Sequence, residues 1–66
     1  MKVRKLIERL GGSAAVARKI GLSDQAIYHA MRRDRVSEMM GWRLLHAYPE
    51  QVSREELDLP EMDGAA

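Results

Sequence analysis

The chain has 66 residues, no cysteine and a formal net charge of +1. That length allows one small domain near the lower limit for folding without staples, with neither disulfides nor thiolate metal ligands to support it. No run is apolar enough to span a bilayer and no cationic leader precedes an apolar stretch, so the expectation is a cytoplasmic protein without a membrane partner and with little volume for a buried catalytic cleft.

Val3, Leu6, Ile7 and Leu10 fall at i, i+3, i+4 and i+7, which predicts a first helix with Arg4, Lys5, Glu8 and Arg9 outside the apolar stripe. Gly11 and Gly12 end it, because glycine accepts the left-handed conformation that closes a helix. Ser13 then reads as the N-cap of a second helix that buries Val16, Ala17 and Ile20 and exposes Arg18 and Lys19. Gly21 and Leu22 make a tight turn with Leu22 beneath it in the core. Ser23 caps a third helix, and Asp24 in its first turn favours the positive end of the macrodipole. Arg33, Asp34 and Arg35 form a polar connection. Ser37 caps a fourth helix from about Glu38 to Ala47, and Pro49 disfavours its continuation. Ser53-Arg54-Glu55-Glu56 has capping-box spacing and predicts one short helical turn through Leu57. Residues 58–66 combine acids, Pro and Gly with little apolar content and read as a disordered acidic tail. The expected fold class is all-α: a compact domain of four to five helices over residues 1–57, without strands.

Charge is unevenly divided. Residues 1–46 carry ten basic side chains against four acids, a net of +6, whereas residues 47–66 carry Arg54 against six acids, a net of −5. A basic body with an acidic end suits a polyanion-binding domain.

Residues 13–32 carry the most specific pattern. Where two helices cross, the first must present a small side chain, here Ala17. Four residues on, Gly21 accepts the positive φ of a sharp turn, and six further on Ile27 seats the second helix against the first. This is the spacing of a helix-turn-helix. At about 100° per residue, Ile27, Ala30 and Met31 form the buried side of the third helix, and Gln25, His29 and Arg32 the opposite side, flanked by Tyr28 and Ala26. Gln pairs with adenine, Arg with guanine, and an alanine methyl or a tyrosine ring meets the thymine methyl group in the major groove. Ser23, Gln25, Ala26, Tyr28, His29 and Arg32 are therefore the expected base-reading residues, on a recognition helix of about residues 24–32. Ser13 and Ala14 at the start of the second helix, with Arg33 and Arg35, are expected to hold phosphates. The competing reading, a solvated helix face, is outweighed by the turn spacing and the basic body.

The fourth helix carries two apolar stripes, Met40-Leu44-Ala47 and Met39-Trp42-Leu45. Met39, Trp42, Leu45, Tyr48 and Val52 are expected at a homodimer interface; the alternative is that a chain this small buries both stripes within itself. Gly41, costly by about 1 kcal/mol in mid-helix, points to the close approach of another backbone. His29 and His46 lie on different helices, so no metal site is expected. No carboxylate pair, nucleophile–base spacing or phosphate-cradling glycine loop stands out, and the expectation is a non-enzyme without a cofactor.

From Leu10 to Val36 the chain resembles the short Cro-type repressors of temperate phages and the related YdaS-like prophage regulators. The residues that carry the resemblance are Leu10-Gly11-Gly12, Ala17-Arg18, Ile20-Gly21-Leu22-Ser23, Ala26-Ile27-Tyr28 and Arg32-Arg33, with Val52 to Leu57 similar to the closing segment of such domains. The resemblance implies a lambda-repressor-like or Cro-like fold, and a homodimer on a near-palindromic double-stranded DNA operator that represses early phage or prophage promoters in the nucleoid of a bacterial host. An antitoxin-like protein-interaction module with autoregulatory DNA binding is the alternative. RNA binding ranks third, because no exposed aromatic platform is apparent.

Overall fold

In a computed structural model, which describes residues 2–59, four helices form and no strand is present among the described residues. They are α1 (Val3–Arg9), α2 (Ser13–Ile20), α3 (Asp24–Arg33) and α4 (Glu38–Ala47). The expected all-α character and all four expected main helices are present. The segment after Ser53 makes the expected single turn and no full fifth helix: Leu57 N–H reaches the Ser53 carbonyl at 3.1 Å, Ser53 Oγ accepts Glu56 N–H at 3.0 Å, and the chain reverses after residues 54–58. No helix among the described residues is long and apolar enough to cross a membrane.

α2 sits centrally and packs on α3, α4 and α1, while α3 also meets α1. The core draws on every helix and on the C-terminal turn: Val3, Ile7, Val16, Ile27, Leu44 and Leu57 are its largest fully buried side chains. Each such aliphatic side chain contributes about 1.5–3 kcal/mol by leaving water. Among the described residues no polar or charged residue is buried, so the core is held by apolar packing alone.

The helix ends explain the layout. After α2 and α3 the chain turns through one left-handed residue, Gly21 (φ 75°) and Asp34 (φ 56°), and after α1 through two residues of positive φ, Gly11 (φ 116°) and Gly12 (φ 99°). In each case the next N–H bonds back five residues: Gly12 to the Ile7 carbonyl, Leu22 to Ala17 and Arg35 to Ala30, at 2.9 to 3.1 Å. These bonds satisfy carbonyls that the helix ends would leave unpaired. Asp58 (φ 56°) closes the C-terminal turn in the same way, with Leu59 N–H on the Arg54 carbonyl at 3.0 Å.

At the N-termini, Ser23 Oγ accepts Ala26 N–H and Ser37 Oγ accepts Met40 N–H, each at 3.2 Å, as expected of caps. Ser13 does not cap α2. Gly12 occupies that position, Ser13 is the first helical residue, and its hydroxyl turns instead toward the Tyr28 hydroxyl at 3.4 Å.

The expected tail begins inside the described residues. Leu59 is half-buried and packs on the core, while residues 60–66 lie outside the described residues. Leu59 also explains Gly41, in place of a second backbone: a Cβ built at Gly41 would meet Leu59 Cδ2 at 2.7 Å. Gly41→Ala is therefore expected to forgo the gain of about 1 kcal/mol that alanine brings to a helix interior and to lower stability in urea denaturation. In a Leu59→Ala background the same substitution should stabilise. Stabilisation in both backgrounds would remove the packing explanation.

Arg9 ties α1 to the C-terminal turn, donating to Glu56 Oε1 and to the Gln51 carbonyl, both at 2.8 Å. The hydrogen bond from Arg9, reinforced by its charge, holds the Glu56 carboxyl below its ordinary value of 4.5. A carboxyl with a depressed folded-state pKa contributes stability that is present above the unfolded value and lost as pH falls through the folded one. The pair is exposed, so its contribution is small and screened by salt. Glu56→Gln should lower the thermal midpoint slightly at neutral pH and low salt, and the gap from wild type should close below the carboxylate range.

Candidate nucleic-acid interface

The α2–α3 pair is built as the Ala17–Gly21–Ile27 spacing requires. Ala17 is buried, Gly21 takes the left-handed conformation, and Ile27 is wholly buried on the inner side of α3 with Ala30. Leu22 packs under the turn, half-buried against the core. Arg43 locks the turn from α4, its guanidinium donating to the Ile20 carbonyl at 2.8 Å. This bond places a cation at the negative C-terminal end of α2.

With its inner side fixed, α3 presents Gln25, Tyr28, His29 and Arg32 outward, where they line one shallow depression of about 260 Å³. Tyr28 is half exposed. Its contact with Ser13 joins the start of α2 to this face. Ser23 is exposed at the head of the helix with its oxygen engaged as cap, and Ala14 is exposed in the first turn of α2. A second depression, of about 480 Å³, runs between α3 and the start of α4; Ala26, His29, Arg33, Arg35, Ser37 and Met39 contribute to its lining. His29 lines both depressions. The structure thus brings every expected base-reading and phosphate-holding residue to α3 and its two flanks, with Ala26 half-buried and the others, Ser13 excepted, exposed.

The expected dimer residues are not gathered in this way. Val52 is 5% exposed, packed in the core of its own chain with its N–H on the Tyr48 carbonyl, and is withdrawn from the expected interface. Met39, 56% exposed, lines the depression beside Arg33 and Arg35. Trp42 lines a different groove, with Lys19, Ile20, Arg43, His46 and Ala47. Leu45 and Tyr48 are half-buried against the core. The cause is geometric: α4 packs on α2, and the Gly41–Leu59 contact draws part of its outer surface under the C-terminal turn.

Two residues important to this face were missed in the sequence. Arg43 counted only as part of the basic body, and no local signal ties it to Ile20, 23 residues away. Asp34 read as part of a polar connection, yet its Oδ1 accepts Val3 N–H at 3.0 Å, across 31 residues. Its one detectable signal was an aspartate, tolerant of the left-handed region, directly after a predicted helix. Among the described residues no group of three or more His, Cys, Asp or Glu is placed to hold a metal ion.

By its architecture the described part of the chain is an all-α domain of four short helices, with α2 and α3 presenting a polar and cationic face. Comparison with family models, curated proteins and solved structures gave no match.

Gly21→Ala is expected to cost about 1 kcal/mol, because a Cβ resists the left-handed conformation, although Arg43 Nη1 at 3.5 Å leaves room for the methyl group. Chemical denaturation measures the cost, and a neutral or stabilising result would contradict the assigned turn.

Proposed function

We propose that this chain is a sequence-specific double-stranded DNA-binding protein, a homodimeric transcriptional repressor of the phage Cro type rather than an enzyme. The observation that carries this reading is the shared outward depression of Gln25, Tyr28, His29 and Arg32, on a helix whose inner side is anchored by Ile27. Side chains of these types have complementary base edges in the major groove. In the proposed mode α3 enters that groove with Ser23, Gln25 and Ala26 deepest, and Tyr28, His29 and Arg32 following along the helix.

The start of α2 supports the same reading. No side chain caps it, so its first N–H groups around Ser13 and Ala14 suit a phosphate oxygen, favoured by the positive end of the helix. Arg33 and Arg35, side by side in the second depression, add charge to the opposite flank. The exposed Met39 and the half-buried Trp42, Leu45 and Tyr48 are what is kept of the expected dimer contact. The alternative reading, an antitoxin-like module that binds a partner protein, is favoured by the groove around Trp42. It calls for a Trp42→Ala variant that loses its partner and keeps DNA.

Selection from random duplexes followed by titration at several salt concentrations tests the reading. The selected, near-palindromic duplex should bind at least about 10³-fold more tightly than random DNA; equal affinities would end the proposal. Gln25→Ala should change base preference by about 1–3 kcal/mol at one position of each half-site, whereas Arg35→Ala should weaken all sequences alike and make the salt dependence shallower by about one unit.

A further inference from the structure

The Arg33-Asp34-Arg35 connection sets an acid between two cations assigned above to phosphate, where an extra negative charge opposes binding. The backbone turns Asp34 away from Arg33, while Arg35 borders both the depression beside α3 and a second one that it shares with Asp34. Asp34 is left-handed directly after α3, its N–H on the Met31 carbonyl at 3.2 Å and the Arg35 N–H on the Ala30 carbonyl at 3.1 Å. Across this reversal Arg33 and Arg35 line the depression beside α3, while the Asp34 carboxylate turns to α1 and accepts the Val3 N–H. There it supplies what α1 lacks, since Lys2 gives no side-chain cap and the first turn of α1 contains no acid.

A residue with a Cβ is disfavoured in this conformation relative to glycine. If the reversal alone mattered, glycine would serve better, as it does at Gly11 and Gly21. What aspartate adds is the bond to Val3. We propose that Asp34 is a positioning residue of the nucleic-acid face: its bond to Val3 anchors the α3–α4 reversal on α1 and thereby holds Arg33 and Arg35 together in one depression. The assignment rests on the DNA-binding reading above.

Two variants test it. Asp34→Gly keeps the left-handed turn and removes the carboxylate, its bond to Val3 and its charge together; Asp34→Asn keeps an acceptor oxygen and removes the charge alone, so that the difference between the two variants reads the bond. Each is titrated, under conditions where circular dichroism shows it folded, against a mixed-sequence duplex about two helical turns long. Asp34→Gly should bind about tenfold more weakly at moderate salt, with a salt dependence shallower by about 0.9 for each phosphate that is no longer neutralised. Asp34→Asn should restore the wild-type slope and bind at least as tightly as wild type. A merely structural role lowers stability and leaves the slope of the folded protein unchanged. Wild-type affinity and slope in Asp34→Gly would overturn the proposal.

Amide relaxation and hydrogen exchange of the free proteins separate this failure from that of the DNA reading. If wild type fails to bind the duplex, the DNA reading falls. The positioning role is then decided by Val3 protection and by Arg33 and Arg35 backbone order. Both should drop in Asp34→Gly, and unchanged values would reject it.

Discussion

The fold depends on a repeated constraint at its helix ends. Each of the first three helices is short, seven, eight and ten residues, and must reverse at once for the next to pack on it. A residue of positive φ does this, joined after α1 by a second, Gly12, and the N–H that follows the first returns to a carbonyl one turn inside the helix. At Gly21 the constraint bears directly on the proposed function. The turn there sets the angle at which α3 leaves α2, and so determines that Ile27 faces inward while Gln25, His29 and Arg32 face outward. Arg43 reinforces it from α4 by binding the Ile20 carbonyl.

What was legible in the sequence follows from this constraint. Glycine at the reversal is visible because no other residue adopts positive φ so readily, and the ends of α1 and α2 were read on that basis. The side facing the core was equally legible, since helical period alone assigns Ile27 and Ala30 inward. Aspartate at the reversal is harder to read: Asp34 and Asp58 use the same geometry as Gly11 and Gly21, yet their type is common in any polar loop. That is why residue 58 reads as the start of a tail, while the chain in fact folds back and places Leu59 on Gly41.

Contacts between distant segments were not legible. Val3 with Asp34, Ile20 with Arg43 and Arg9 with Glu56 each join residues more than twenty positions apart, and none leaves a periodic trace. Val52 shows the consequence for an interface. An apolar residue beyond the fourth helix reads equally well as core or contact, and only the packing of the C-terminal turn places it inside.

Charge counting has the same limit, and this bears on how the face works. The basic body of residues 1–46 is +6 by count, but its cations have different duties. Arg9 is bound to Glu56 and Gln51, and Arg43 to the end of α2. The acids are divided as well: Asp34 is bound at the start of α1, and Asp24 lies in the first turn of α3. Both acids sit near positive helix ends, where a local dipole partly offsets their charge. Arg32, Arg33 and Arg35 remain grouped along one side of α3 and the loop after it, in the two depressions that share His29. Arg35 also borders the depression lined by Glu38, Glu55, Glu56 and Asp58, so the charge of this face depends on where both bases and acids are held and not on the count alone.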